Sequence, residues 1–139
     1  MILIAVVDDS GGMMFNRRRQ SQDRVLREKI LSLTEKSCLW MNDYTAKQFA
    51  DYAAKIHADN DFTQKADAGE YCFVENTSVS ACADRIEKVI LFKWNRAYPA
   101  DFFFDLDLSA PEWKLLETED FPGFSHEKIT KEVYVHENR

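Results

Sequence analysis

Three short runs of this chain are apolar at every position: Ile2-Leu3-Ile4-Ala5-Val6-Val7, Tyr71-Cys72-Phe73-Val74 and Val89-Ile90-Leu91-Phe92. A strand with one wetted face alternates apolar and polar residues, whereas a strand that is apolar throughout must be covered on both sides. That is the situation of a largely parallel sheet with helices on both faces. Segments of helical spacing lie between the runs. Val25, Leu26, Ile30, Leu31 and Leu33 mark a first helix, with Ser21 as its expected N-cap. Cys38 to Met41 reads as a short strand, Asn42-Asp43-Tyr44-Thr45 as a capped turn, and Ala46 to Ile56 as a helix turning Phe49, Tyr52, Ala53 and Ile56 inward. His57 to Gly69, polar and acidic around Phe62, reads as a loop, and Val79 to Ile86 as a short helix. The end of the chain differs. Trp113 to Thr118 and Ile129 to His136 alternate apolar with polar around Phe121-Pro122-Gly123-Phe124, which predicts an antiparallel pair closing one edge of the sheet.

A length of 139 residues, 45% hydrophobic, predicts one α/β domain over residues 1–139. No window is apolar and long enough to span a bilayer, and Ile2 to Val7 lacks the length and the basic start of a signal-peptide core. The expectation is a cytoplasmic protein with no membrane contact. Cys38, Cys72 and Cys82 are odd in number and sit in or beside apolar segments, as expected of buried free thiols. A net charge of −6 argues against nucleic acid as a partner, since phosphate binding needs a cationic face.

The order of these segments, with Met13-Met14-Phe15-Asn16 after the first strand and Trp40-Met41-Asn42-Asp43-Tyr44-Thr45 at a strand-to-helix turn, resembles dihydrofolate reductase over most of the chain. The resemblance implies a mostly parallel central sheet with an antiparallel C-terminal edge. It also implies a substrate mouth beside the first helix, an acid on that helix at Asp23, and Thr45 near an NADPH site. Three departures oppose the cofactor. Glu75-Asn76-Thr77 stands where the family has glycines that receive the pyrophosphate, Asp43 stands where it has an arginine, and only His57 to Gly69 remains for the lobe that holds the adenosine half. Helix N-termini and glycines admit phosphate, and carboxylates repel it. Phe92 stands where the family's threonine supports the acid, so Asp23 is expected to lose its orienting partner.

Arg17-Arg18-Arg19, followed by Arg24 and Arg27, is the sharpest charge feature of an acidic chain. Cations at the start of a helix oppose its dipole, so local stability does not call for them. Guanidinium forks suit carboxylate or phosphate, which predicts an anion-binding mouth; a solvated face pairing with Asp8, Asp9, Asp23 and Glu28 is the plain alternative. Asp23 reads either as a proton donor, if burial raises its pKa, or as a helix cap. Asp8 and Asp9 read as a turn, the histidines 57, 126 and 136 are isolated, and no CxxC, HExxH, GxSxG or P-loop spacing occurs, so neither a metal nor a nucleophilic hydrolase is expected. Phe102-Phe103-Phe104 among aspartates predicts core packing or an edge that pairs with its copy in a homodimer.

The sequence therefore predicts a dihydrofolate reductase-like domain repurposed as a non-catalytic module. It would hold a small anionic or heterocyclic ligand, or a partner, with Met13, Met14, Phe15, Asn16, Arg17, Arg18, Arg19, Arg24 and Thr45, and no cofactor. The alternative is a minimal NADPH-dependent pterin reductase using Asp23.

Overall fold

Strand β1 (Ile2–Val7) lies at the middle of a seven-stranded sheet because every one of its side chains has a layer to enter. Alternation along the strand divides them. Leu3, Ala5 and Val7 join one core cluster, whereas Ile2 and Ile4 join another on the opposite face. The computed structural model describes residues 1–139. In chain order the elements are β1, β2 (Gly12–Phe15), β3 (Arg18–Arg19), α1 (Arg24–Leu33), β4 (Leu39–Met41), α2 (Asp43–Ala46), β5 (His57–Ala58), α3 (Phe62–Lys65), β6 (Tyr71–Phe73), β7 (Lys88–Lys93), β8 (Phe102–Phe103), β9 (Trp113–Phe121) and β10 (Ile129–His136). Two 3-10 helices, Lys47–Lys55 and Ser80–Arg85, complete the set.

The main sheet runs β5-β4-β6-β1-β7-β10-β9. Its first five strands are parallel, and β10 joins β7 antiparallel, with β9 outside it. Helix α1 covers one face with Leu26, Ile30 and Leu31, which pack with Phe49, Phe73, Ile90 and Phe92. Phe62, Ala66, Val79, Ile86 and Trp113 cover the other face. No helix is long and apolar enough to cross a membrane.

Several local expectations give way to the structure. The N-cap of α1 is Asp23, not Ser21: Asp23 has extended backbone and accepts the Leu26 N–H at 3.2 Å. Residues 13–15 continue as a strand. They form β2, which turns back on β3 through Asn16 and Arg17 at φ of 50° and 62°, the left-handed pair that a two-residue hairpin loop requires. The expected helix over 46–56 breaks into α2 and a 3-10 segment, since Phe49 and Tyr52 leave helical geometry. Phe49 is buried there, and Ala53 faces solvent. The expected loop at 57–69 holds β5, parallel to β4 with Trp40 stacked on His57, and α3, which Phe62 anchors in the core. Of the aromatic run, Phe102 and Phe104 pack against the core and Phe103 is exposed. Cys72 is buried, which pushes its thiol up to about 12 and keeps it protonated at neutral pH.

Phe92 has no exposed surface, while Leu116 on the outer strand is largely exposed. Phe92→Ala is expected to lower unfolding free energy by about 3–5 kcal/mol in urea titrations, and Leu116→Thr to change it by no more than about 0.5 kcal/mol. Equal effects would mean that β9 is covered in solution.

Candidate functional site

The chain ends of β1 and β6 open beneath the first half of α1, and the gap between them is a narrow slot. Val6, Met13, Leu26, Ile30, Phe73, Val74 and Trp94 form its apolar wall, and Arg19, Ser21, Gln22, Asp23, Arg27, Gln48 and Glu75 are its polar side chains. Its cavity volume is about 20 Å³, room for roughly one water. One end is shut by an ion pair. The Arg19 guanidinium meets the Glu75 carboxylate in bidentate fashion at 2.9 and 3.0 Å, lies 4.6 Å above the Tyr44 ring, and its backbone N–H donates to the Tyr44 hydroxyl at 3.0 Å. Burial opposes charge on Arg19, but the Glu75 partner outweighs it and raises the guanidinium's pKa further.

Two groups in the slot are left without a match. Gln48 Nε2 is buried and has no hydrogen-bond partner. Arg27 makes a single 3.3 Å bond to the Gln22 side-chain oxygen and no ion pair. A buried amide donor without an acceptor costs about 1–3 kcal/mol, and a single water in the slot would supply one.

Beside the slot, Asp23 is the centre of a buried polar cluster. Its carboxylate accepts the backbone N–H groups of Leu26 (3.2 Å), Phe124 (2.9 Å) and Ser125 (2.9 Å), the Ser125 hydroxyl (3.2 Å) and His126 Nδ1 (3.0 Å). Burial alone would push this carboxyl up. The Phe124 N–H, the His126 ring, the Ser125 N–H and the Leu26 N–H together hold it well below the usual carboxylate range. An ionised carboxylate at Nδ1 fixes the proton on that nitrogen, so in the neutral ring Nε2 is the acceptor. Nε2 lies 3.0 Å from the Ser21 hydroxyl and 3.1 Å from the Tyr98 hydroxyl, and the imidazole stacks on Trp94 with centroids 4.3 Å apart. Gly123 lets the turn approach this closely: a Cβ there would fall 2.7 Å from Asp23 Oδ2 and 2.9 Å from the His126 carbonyl.

The site expected from the sequence is thus only partly assembled. Met13, Arg19 and Asp23 line the slot. Arg17 and Met14 border a separate depression with Asp101 and Asn76, and Arg18, Phe15 and Asn16 border another beside Tyr98. The hairpin turn at Asn16-Arg17 sets Arg17 apart from Arg18 and Arg19, which both border the depression beside Tyr98. Arg24 lies 4.2 Å over the exposed Phe124 ring. Thr45 is fully buried, donates its N–H to Asn42 Oδ1, and leaves its hydroxyl oxygen unpartnered. Asp23 does not lose its orienting partner: Phe92 supplies none, and the 122–128 turn supplies several. Ser21, Gln48, Tyr98 and His126 were missed. His126 is 103 residues from Asp23, so no spacing rule could pair them. Asp8 is the organiser of a turn, accepting from Ser10 N, Gly12 N, Gln20 Nε2 and Tyr98 N. No group of three or more His, Cys, Asp or Glu side chains is placed to hold a metal.

No protein-family model matches the chain. No curated protein is significantly similar to it. Among solved structures, a dihydrofolate reductase from Enterococcus faecalis, complexed with NADP(H) and RAB-propyl, superposes with a TM-score of 0.63 at 13% sequence identity, over 98% of this chain and 96% of that one. At that identity the likeness carries the fold and nothing more.

Asp23→Asn removes a charge that five donors were arranged to receive, and should lower unfolding free energy by about 1–3 kcal/mol at pH 7. Because the folded pKa lies below the unfolded one, near 3.9, the native advantage is complete above about pH 5 and fades as pH falls through the unfolded value toward the lower folded one. Urea titrations from pH 7 to 3 should show the gap between native and Asp23→Asn proteins closing in acid. A gap that stayed constant would mean Asp23 is not held ionised by this cluster. Gly123→Ala should destabilise in the same assay by forcing the turn off the carboxylate.

Proposed function

We propose that this chain, whose fold is dihydrofolate reductase-like, is a repurposed member of that fold that binds a small molecule in the slot beneath α1. The ligand carries an anionic group for Arg27 and a hydrogen-bond acceptor for Gln48. The observation that carries this reading is the unpartnered Gln48 Nε2 among apolar side chains and beside an arginine with no carboxylate. A planar heterocycle offers edge acceptors for such donors, and it enters only if the slot, which holds about one water when closed, widens. A ligand larger than water requires the Arg19–Glu75 pair to part or swing aside, so closure over the ligand belongs to binding.

Several features support a function without NADPH. Glu75 and Asp43 place carboxylates at the strand ends where a pyrophosphate would lie, and Asn42 Nδ2 donates to Asn76 Oδ1 at 2.7 Å across the same place. These residues do not fit a dinucleotide phosphate. The alternative, a minimal NADPH-dependent pterin reductase, has one observation in its favour, the buried and unpartnered Thr45 hydroxyl oxygen at the start of α2. Against it stands Asp23, which the surrounding donors keep ionised and which therefore lacks a proton to give.

Thermal unfolding with phosphate, folate, common nucleotides and NADPH offered singly separates the two. A ligand at about a hundred times its dissociation constant stabilises by about 2.7 kcal/mol. The expected result is stabilisation by an anionic heterocycle such as folate without NADPH, weakened at least about tenfold by Arg27→Gln, since a hydrogen bond to a charged group contributes about 1.5–3 kcal/mol. Stabilisation by NADPH that survives Arg27→Gln would replace this reading with the reductase. Stabilisation by none would remove the slot as a ligand site.

A further inference from the structure

We propose that Ser21, His126 and Asp23 form a nucleophilic triad that hydrolyses small carboxylic esters whose acyl group enters the slot. The inference rests on the slot being a ligand site and adds a reaction to it. The geometry is that of a nucleophile, its base and the orienter of that base. Ser21 Oγ lies 3.0 Å from His126 Nε2, and His126 Nδ1 lies 3.0 Å from Asp23 Oδ2. Each part is fixed by something other than the triad itself. The Leu26, Phe124 and Ser125 N–H groups hold Asp23, and Trp94 holds the ring face of His126. The Ser21 side chain precedes the cap of α1 and is half-exposed on the slot. If this cluster only fastened the turn to the helix, the backbone donors to Asp23 would suffice. The arm that continues through Nε2 to a slot-facing hydroxyl adds little to that fastening and is what acyl transfer needs.

The reaction closes with the groups present and water. Ser21 Oγ bonds to the acyl carbon as its proton passes to His126 Nε2, and the carbonyl oxygen takes the negative charge. Among the donors that line the same slot, the unpartnered Gln48 Nε2 is the one assigned to that oxygen. Collapse breaks the ester C–O bond, and Nε2 returns the proton to the leaving alkoxide. Water then attacks the acyl-serine with His126 again as base, releasing a carboxylic acid and free Ser21. The Tyr98 hydroxyl, 3.1 Å from the same nitrogen, shares Nε2 at rest and must yield it to Ser21 in the reaction. The closed slot has room for about one water, so the acyl group enters as the Arg19–Glu75 pair parts, and a short chain needs the least opening.

The test uses the whole chain with a fluorophosphonate probe and p-nitrophenyl acetate. The expected result is a single covalent label located on Ser21 by peptide mass, with ester turnover reduced at least about 100-fold in Ser21→Ala and in His126→Gln. Ser32→Ala, an exposed serine remote from the slot, should leave both unchanged. Thermal unfolding of Ser21→Ala should match the parent, which separates lost chemistry from lost folding. An unlabelled Ser21 in a protein that folate or phosphate still stabilises would overturn the triad and leave the binding site standing. Label on another residue, or turnover unchanged in Ser21→Ala, would overturn it as well. Loss of ligand stabilisation together with intact labelling would instead count against the anionic ligand alone.

Discussion

A carboxylate with no exposed surface has to be surrounded by donors, because an isolated charge moved out of water is destabilised by several kcal/mol even after relaxation. Asp23 meets that requirement with groups from two distant parts of the chain, the first turn of α1 and the turn between β9 and β10. The consequences spread outward from this one contact. The helix begins at Asp23 because its side chain caps it. The β9–β10 turn is drawn over the helix start, and Gly123 is required there because no side chain fits between the turn and the carboxylate. His126 is thereby pressed against Trp94, at the end of β7. The antiparallel edge of the sheet, which from its outer residues Lys114 to Asp120 is nearly all solvent-exposed, is thus tied to the core at one end.

Charge at the other end of the slot follows a different logic. Three consecutive arginines in an acidic chain suggest a single cationic mouth, but a hairpin turn places successive side chains on opposite faces and its left-handed residues rotate them further. Arg19 alone turns inward, and there it finds Glu75. A bidentate, half-buried pair over a tyrosine ring is stronger than an exposed one, so Arg19 is held at the slot by Glu75, while Arg27, one helical turn inside α1, makes no ion pair. Glu75 thereby neutralises the one arginine of the run that turns inward.

The parts of the fold that were legible in the sequence are those set by local pattern. The all-apolar runs gave β1, β6 and β7, the alternating runs gave β9 and β10, and the helical spacing of Leu26, Ile30 and Leu31 gave α1. The parts that were not legible are short and decided by tertiary contact. A two-residue strand such as β5 exists because β4 offers it an edge, and the 47–55 segment abandons α geometry where Phe49 enters the core. The site divides the same way. Asp23, Met13 and Arg19 were visible from their position after the first strand. Ser21, Tyr98 and His126 are ordinary residues in sequence, far apart along it, and become a cluster only when the C-terminal turn folds back on the first helix.

Asp23 also shows how its surroundings decide what chemistry a carboxyl can perform. An acid that delivers a proton to a substrate needs a pKa near the working pH, which means burial with few donors to its charged form. An acid that orients a histidine needs the reverse, an ionised carboxylate that never takes the proton. The N–H groups of Phe124, Ser125 and Leu26 and the His126 ring pull Asp23 down against the upward push of burial. That balance disfavours direct proton donation at neutral pH and favours an orienting role. The Asp23 carboxylate meets the imidazole at Nδ1, and the far nitrogen of that ring lies 3.0 Å from the Ser21 hydroxyl.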